Sequence, residues 1–509
     1  MHQRRSSSPK TAAFSFVAMS AYTQLCQLAD EITLLESTSA TLGWDQETYM
    51  PEAALDYRAK QLGYLSGKSF ALFTSKKFRL LLDQAEGEEL SATGKANVRE
   101  WRRQINRATK LSRKLVEDFS QVTTHAKAAW AEARKQSNFK TFAPHLEKIL
   151  KLTRRKADLW GYVGEPYDAL LDEYEPAATA AEISTLFDTL RPQLSALAKE
   201  AVARSAAVSA TLLEGDYPIA LQQQLNREVA ANIGFDFDGG RIDTTAHPFC
   251  TRLGPKDQRL TTRYDERDFT SSLFGVLHEA GHGMYEQGLP ADDYGLPSGT
   301  SVSLGIHESQ SRLWENHVGR SQAFWEKWLP RAKEIFPALH VSVDEMVAAV
   351  NRAEYSFIRV EADEATYDMH IMLRFKIERL LLNRELKVKD VPQVWKAEFQ
   401  DLFGLTPPDD ARGCLQDIHW SMGGMGYFPT YTLGNLNAAQ LFHAAREEAT
   451  IRHDTDHANY ASLLAWLQTR VHAHGSQLSP RELMVAATGE PTDAKWHLAH
   501  LRARFFRPV

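Results

Sequence analysis

The residues of this chain best suited to chemistry are His278, Glu279 and His282, which form HExxH within FGVLHEAGHGMYEQG. Two histidines four apart on a helix share one face, with Cβ atoms about 5–6 Å apart. Both imidazoles can therefore reach one zinc ion, each at about 2.0–2.1 Å. Glu279 is turned by about 100° from His278, given 3.6 residues per turn. That angle keeps it from ligating and aims it, as general base, at the water that a metal activates. Leu273, Phe274, Val276 and Leu277 precede the motif and predict a buried, dry setting.

A catalytic zinc site needs a third protein ligand and an open position. Glu308, in GIHESQSRLWENHVG, is the leading candidate. It opens a second helical pattern after the Gly/Pro-rich loop 288–305, long enough for that helix to cross the first. Glu286, His307 and Glu315 compete for the role. Glu286 shares the His282 face but lies a turn further along its helix, too far to share one ion easily. A set of two histidines and a carboxylate suits one zinc ion, and cobalt fits the same donors.

The elements that must position these groups are mostly helical. Apolar residues recur at three- and four-residue spacing over 21–43, 54–84, 89–137, 143–161, 180–205 and 216–233, and again from 269 onward. The exception is 236–265, where a Gly-Gly turn, β-branched residues and Leu-Gly-Pro-Lys predict short strands in a hairpin. The expected fold is mainly α, a single large helical domain over 19–509 with a small β-sheet beside the active site. Residues 1–18 are basic, Ser-rich and free of acidic groups, and read as a disordered or artefactual tail, with a targeting segment as the alternative.

Bulk properties exclude several classes. A net charge of −6 over 509 residues gives no footprint for nucleic acid or an anionic membrane. No apolar run approaches the roughly 20 residues of a membrane span. Three cysteines, Cys26, Cys250 and Cys414, lie far apart, which argues against a disulfide framework and predicts a cytoplasmic protein.

Beyond HEAGH and HESQS, further segments occur in order. They are HPF (His247–Phe249), DxRxT at Asp257–Thr261, IRxxAD at Ile358–Asp363 and GxxQDxHW at Gly413–Trp420. WDQETYMP (Trp44–Pro51) precedes them. In these motifs the chain resembles the carboxypeptidase Taq family of zinc metallocarboxypeptidases, from about residue 20 to the C-terminus. The resemblance implies that Glu308 is the third ligand and that the enzyme releases C-terminal residues from peptides. It also implies a helical HExxH fold with a deep groove, broad specificity with proline disfavoured, and a homodimer. The rival reading is a helical zinc oligoendopeptidase with the same metal site.

A carboxypeptidase must also bind a terminal carboxylate, and the planar fork of arginine suits that task. Arg359 is the first choice, with an ion pair to Glu361 or Asp363 as the competing role; Arg352 is the reserve. Arg259 is expected to order the hairpin through Asp257, and Thr261 and Thr262 to lie on an edge strand open to substrate backbone. His247, His419 and Tyr427 are candidate donors to substrate oxygens. Tyr427 sits among Gly423, Gly424 and Gly426, where backbone can approach a ligand closely.

Overall fold

The computed structural model describes residues 19–506, so the expected N-terminal tail lies outside the described residues. Helices dominate, as the apolar periodicity predicts. The two longest patterns each divide at a serine that caps the following helix. Residues 54–84 become Leu55–Phe73 and Lys76–Ala85, where the Ser75 hydroxyl accepts from the Phe78 N–H. Residues 89–137 become Ala92–Lys110 and Arg113–Lys135, where Ser112 accepts from Leu115. A side-chain oxygen that satisfies an orphan N–H favours a fresh start over a continuous helix.

The sheet has three strands, β1 (Gly240–Thr244), β2 (Cys250–Gly254) and β3 (Asp257–Thr262), in the order β1-β3-β2. β2 and β3 form the expected antiparallel hairpin, with a bulge between Arg252 and Gly254. β1 adds to the other side of β3 in parallel. Thr261 and Thr262 are therefore in the central strand and buried, not on an edge. The Thr261 hydroxyl is already engaged, accepting from the Phe249 N–H and donating to the Phe249 carbonyl. Arg259 does order the hairpin, with both Nε and Nη2 donating to Asp257 at 2.8 Å.

The N-terminal helix Ala21–Thr48 is tied to this sheet at its end. The Tyr49 hydroxyl donates to Asp243 Oδ1 at 2.6 Å, and Thr245 Oγ1 donates to the Glu47 carbonyl at 3.1 Å. Two large apolar cores hold the rest. One gathers Phe142, Leu146, Leu190, Phe375 and Trp395, and the other gathers Leu260, Leu273, Leu277, Trp314 and Trp325. The second core contains the HExxH helix and the helix that bears Glu308, so both are fixed by packing on their apolar sides. Among the described residues, no helix is long and apolar enough to cross a membrane.

Candidate metal centre

The HExxH helix runs Phe269–Gly288, capped by Asp268, whose carboxylate accepts from Thr270 and Ser271. The partner helix, Leu304–Arg312, is capped by Ser303 and passes without a break into a π-helical turn, Leu313–Val318. Glu175 strengthens that cap, its carboxylate accepting from the Gly305 N–H at 3.0 Å and from the Ser303 hydroxyl at 3.1 Å. The two helices meet main chain to main chain at Gly281, where an added Cβ would stand 2.5 Å from the Gln310 carbonyl oxygen. A third helix, Pro429–Glu447, closes on the other side at Gly434, where a Cβ would stand 2.5 Å from Glu308 Cγ.

This approach brings His278, His282 and Glu308 together, with one ligand atom from each within 4.8 Å of the others. His282 Nε2 is 3.5 Å from Glu308 Oε2, and His278 Nε2 is 3.8 Å from it. Donors about 2.0–2.2 Å from a tetrahedral ion stand roughly 3.3–3.5 Å apart, so the spacing fits a single ion. The electrostatics fit as well. Burial alone would push the His278 imidazolium down, but Glu308 and Glu315 hold it up at about 9. Positive charge is therefore favoured at His278, whereas burial, with His307, pushes His282 down to about 4 and keeps it the neutral imidazole that ligates a metal.

Of the competing ligands, none joins the trio; each supports it from behind. Glu315 Oε2 lies 2.9 Å from His278 Nδ1. His307 Nδ1 lies 2.6 Å from His282 Nδ1, and its Nε2 lies 2.8 Å from Glu286 Oε1. The π turn widens the helix by one residue per turn and carries Glu315 to His278 while Glu308 faces the cluster. Arg312 went unnoticed in the sequence; it donates to Glu308 at 2.8 Å and to Glu315 at 3.2 Å. The sequence signal was its position four residues after Glu308, on the same helix face. Although burial would raise the Glu308 pKa, Arg312 holds that carboxyl well below its usual range.

Glu279 is buried, and burial pushes its pKa up to about 7 against the pull of His278. Arg359, His419 and Tyr427 gather in one polar and aromatic patch. The Arg359 ion pair is with Asp417, which neither sequence alternative named: Nε donates to Oδ1 at 2.9 Å. Its Nη1 donates to the Tyr367 hydroxyl at 2.8 Å. Asp417 also accepts from Arg374 Nε at 2.7 Å. His419 Nε2 lies 3.3 Å from the Tyr431 hydroxyl, and its ring packs 5.2 Å from Tyr427. Burial, first of all, and the charge of Glu308 raise the Tyr427 pKa, which puts this patch within electrostatic reach of Glu308. Arg352 instead pairs with Glu354, two residues on, at 2.6 Å. His247 is exposed in the loop between β1 and β2 and makes no hydrogen bond or ion pair among the described residues.

A helical fold, a small sheet and this cluster narrow the choice, and comparison with known proteins decides it. Residues 24–505 match the family model described as Carboxypeptidase Taq (M32) metallopeptidase. The chain belongs to this family. Thermostable carboxypeptidase 1 of Thermus thermophilus is 40% identical over 95% of this chain and 98% of its own length. Carboxypeptidase 1 of Bacillus subtilis is 35% identical over 94% of this chain and 96% of its own. The crystal structure of the M32 carboxypeptidase from Deinococcus radiodurans superposes with a TM-score of 0.93 at 38% identity, covering 95% of this chain and 98% of that one. The protein is thus a metallocarboxypeptidase, a peptide hydrolase that acts at the C-terminus and uses a metal. The endopeptidase reading gives way to the exopeptidase one.

Proposed function

We propose that this M32 metallocarboxypeptidase is a zinc enzyme in which His278, His282 and Glu308 hold the ion and Glu279 is the general base. The convergence of two imidazole nitrogens on one Glu308 oxygen, at 3.5 and 3.8 Å, carries this reading. When bound, zinc supplies Lewis-acid polarisation of the scissile carbonyl and lowers the pKa of water from 15.7 to about 7. Glu279 takes a proton at a carboxylate oxygen as water attacks, and returns it to the leaving amine. Its burial favours a carboxyl group that can both take up and give back a proton.

Arg359 recognises the terminal carboxylate. A guanidinium has five N–H donors, and those not turned to Asp417 and Tyr367 remain for substrate. One carboxylate, Asp417, faces both Arg359 and Arg374. The pair therefore keeps about one unit of net positive charge in a low-dielectric setting, which favours an anion. Tyr427 and His419 are donors to the oxyanion that forms during attack. Broad side-chain tolerance and a homodimer are proposed on the family resemblance.

The deciding experiment strips the enzyme with a chelator, restores zinc or cobalt, and presents a peptide with a free C-terminus and its C-terminal amide. Stepwise release of single residues from the free acid alone, restored by zinc, supports the reading. Cleavage of the amide at the same rate removes the role given to Arg359. Activity that survives complete removal of zinc removes the metal assignment.

A further inference from the structure

A second cluster of metal-ligating side chains lies away from the catalytic one. His317 comes from the π-helical turn, Glu364 from the segment before the helix Tyr367–Leu382, and His500 from the C-terminal helix Ala494–Phe505. One ligand atom from each falls within 4.8 Å of the other two. We propose that these three residues form a second binding site for a divalent ion of the zinc class.

The competing reading is a buried histidine–glutamate pair with a histidine stacked on it. His500 Nε2 does lie 2.6 Å from Glu364 Oε1, and the His317 and His500 rings pack with centroids 3.8 Å apart. That reading leaves two groups unexplained. His317 is 4% exposed, yet its Nδ1 has no hydrogen-bond partner among the described residues. The Glu364 side chain is 5% exposed, and its Oε2 has none either. A buried polar atom left without a partner is costly, and two of them in one cluster of ligating side chains are what a cation would satisfy. Burial also favours neutral imidazoles at both His317 and His500, the form that ligates a metal.

Two imidazoles and one carboxylate are the donor set of a zinc site with an open position. Room for exchangeable ligands is present: a cavity of about 400 Å³ is lined by His317, Arg320, Phe442, Tyr460, His500 and Arg504. The Arg504 guanidinium donates to the Asn351 side chain and the Asn316 carbonyl, and its positive charge is felt at the cluster. That charge weakens cation binding, so this site fills after the catalytic one. An ion here ties the C-terminal helix to the helix that carries Glu308, nine residues before His317.

The test is a zinc titration of chelator-stripped enzyme against a competing dye, with metal content checked by mass spectrometry. Two equivalents are expected in the wild type, the second weaker. His317→Gln and His500→Gln are expected to bind one equivalent and to keep peptidase activity. His282→Ala, which disables the catalytic cluster, is expected to retain one equivalent, so the result does not depend on the fold of the other two variants. A wild type that saturates at one equivalent overturns the proposal. So does a second equivalent that persists in both His317→Gln and His500→Gln, or a His282→Ala protein that binds none.

Discussion

His282 and His307 face each other through their Nδ1 atoms at 2.6 Å, and the far nitrogen of His307 reaches Glu286 at 2.8 Å. The order of donors follows from the end of the chain. Glu286 is an acceptor, so His307 Nε2 carries the proton it donates. The His307 Nδ1 lone pair then accepts from His282 Nδ1–H, which leaves His282 Nε2 free as a ligand. Burial opposes ionisation of Glu286, but His307 first and then Arg252, 3.6 Å away, hold its pKa below the usual range.

His307→Ala breaks this relay without touching the ligand trio. Loss of such a supporting partner typically costs 10–100-fold in metal affinity. A metal-buffered titration should show that loss with the circular dichroism spectrum unchanged. Equal affinity in the variant would mean that the relay does not hold His282.

Glu279→Gln keeps the shape of the side chain and removes its basicity. Turnover should fall by about 10²–10⁴-fold, while bound zinc stays at the wild-type level. Single-turnover assays beside metal analysis separate the two, and a variant that lost zinc as well would shift Glu279 from chemistry to metal retention.

Arg359→Lys keeps the charge but gives up the planar fork. Hydrogen bonds to a charged group are worth about 1.5–3 kcal/mol, so KM for free-ended peptides should rise by roughly 10–100-fold. kcat should change less. A fall confined to kcat would assign Arg359 to positioning Asp417 and Tyr367 and not to substrate.

Glu175 gives the fold a pH dependence of its own. Burial, opposed by hydrogen bonds from Ser303 and Gly305, lifts its pKa from 4.5 to about 7. The folded chain therefore holds the proton more tightly than the unfolded one. The resulting stabilisation is complete below about pH 4.5 and is lost as pH rises through 7, by an amount on the order of 3 kcal/mol. Burial raises Glu378 to about 7 as well, which adds a loss of the same sign. Glu175→Gln removes the first contribution: denaturant midpoints at pH 5 and pH 8 should lie closer together than in the wild type. An unchanged gap would place the titration elsewhere.

How far the sequence carried depended on how local each feature is. His278, Glu279 and His282 are set by spacing within one helix turn, and the pattern suffices. Glu308 led Glu286, His307 and Glu315 in the sequence by its place after the loop and by the family resemblance; the crossing of two helices and the π turn, which set where the other three lie, are not encoded by periodicity. The pairing of Arg359 with Asp417 joins segments 58 residues apart, and local reading offered only its neighbours Glu361 and Asp363. Thr261 and Thr262 read as edge residues because a hairpin seen alone has two edges. The parallel addition of β1, whose residues pair with ones 18 positions later, covers one of those edges.

At Gly281 and Gly434 the metal cluster is bounded by hydrogen atoms where most helix contacts have side chains. At Gly281 the distance between the helices of His278 and Glu308 is therefore set by main chain against main chain, while Gly434 lets its helix close directly on the Glu308 side chain. Thermal loosening of side chains in the surrounding cores leaves that distance nearly intact until the helices themselves part. The cluster behaves as a stiff joint inside a softer body, and its two fixed points are residues that never meet the metal or the peptide.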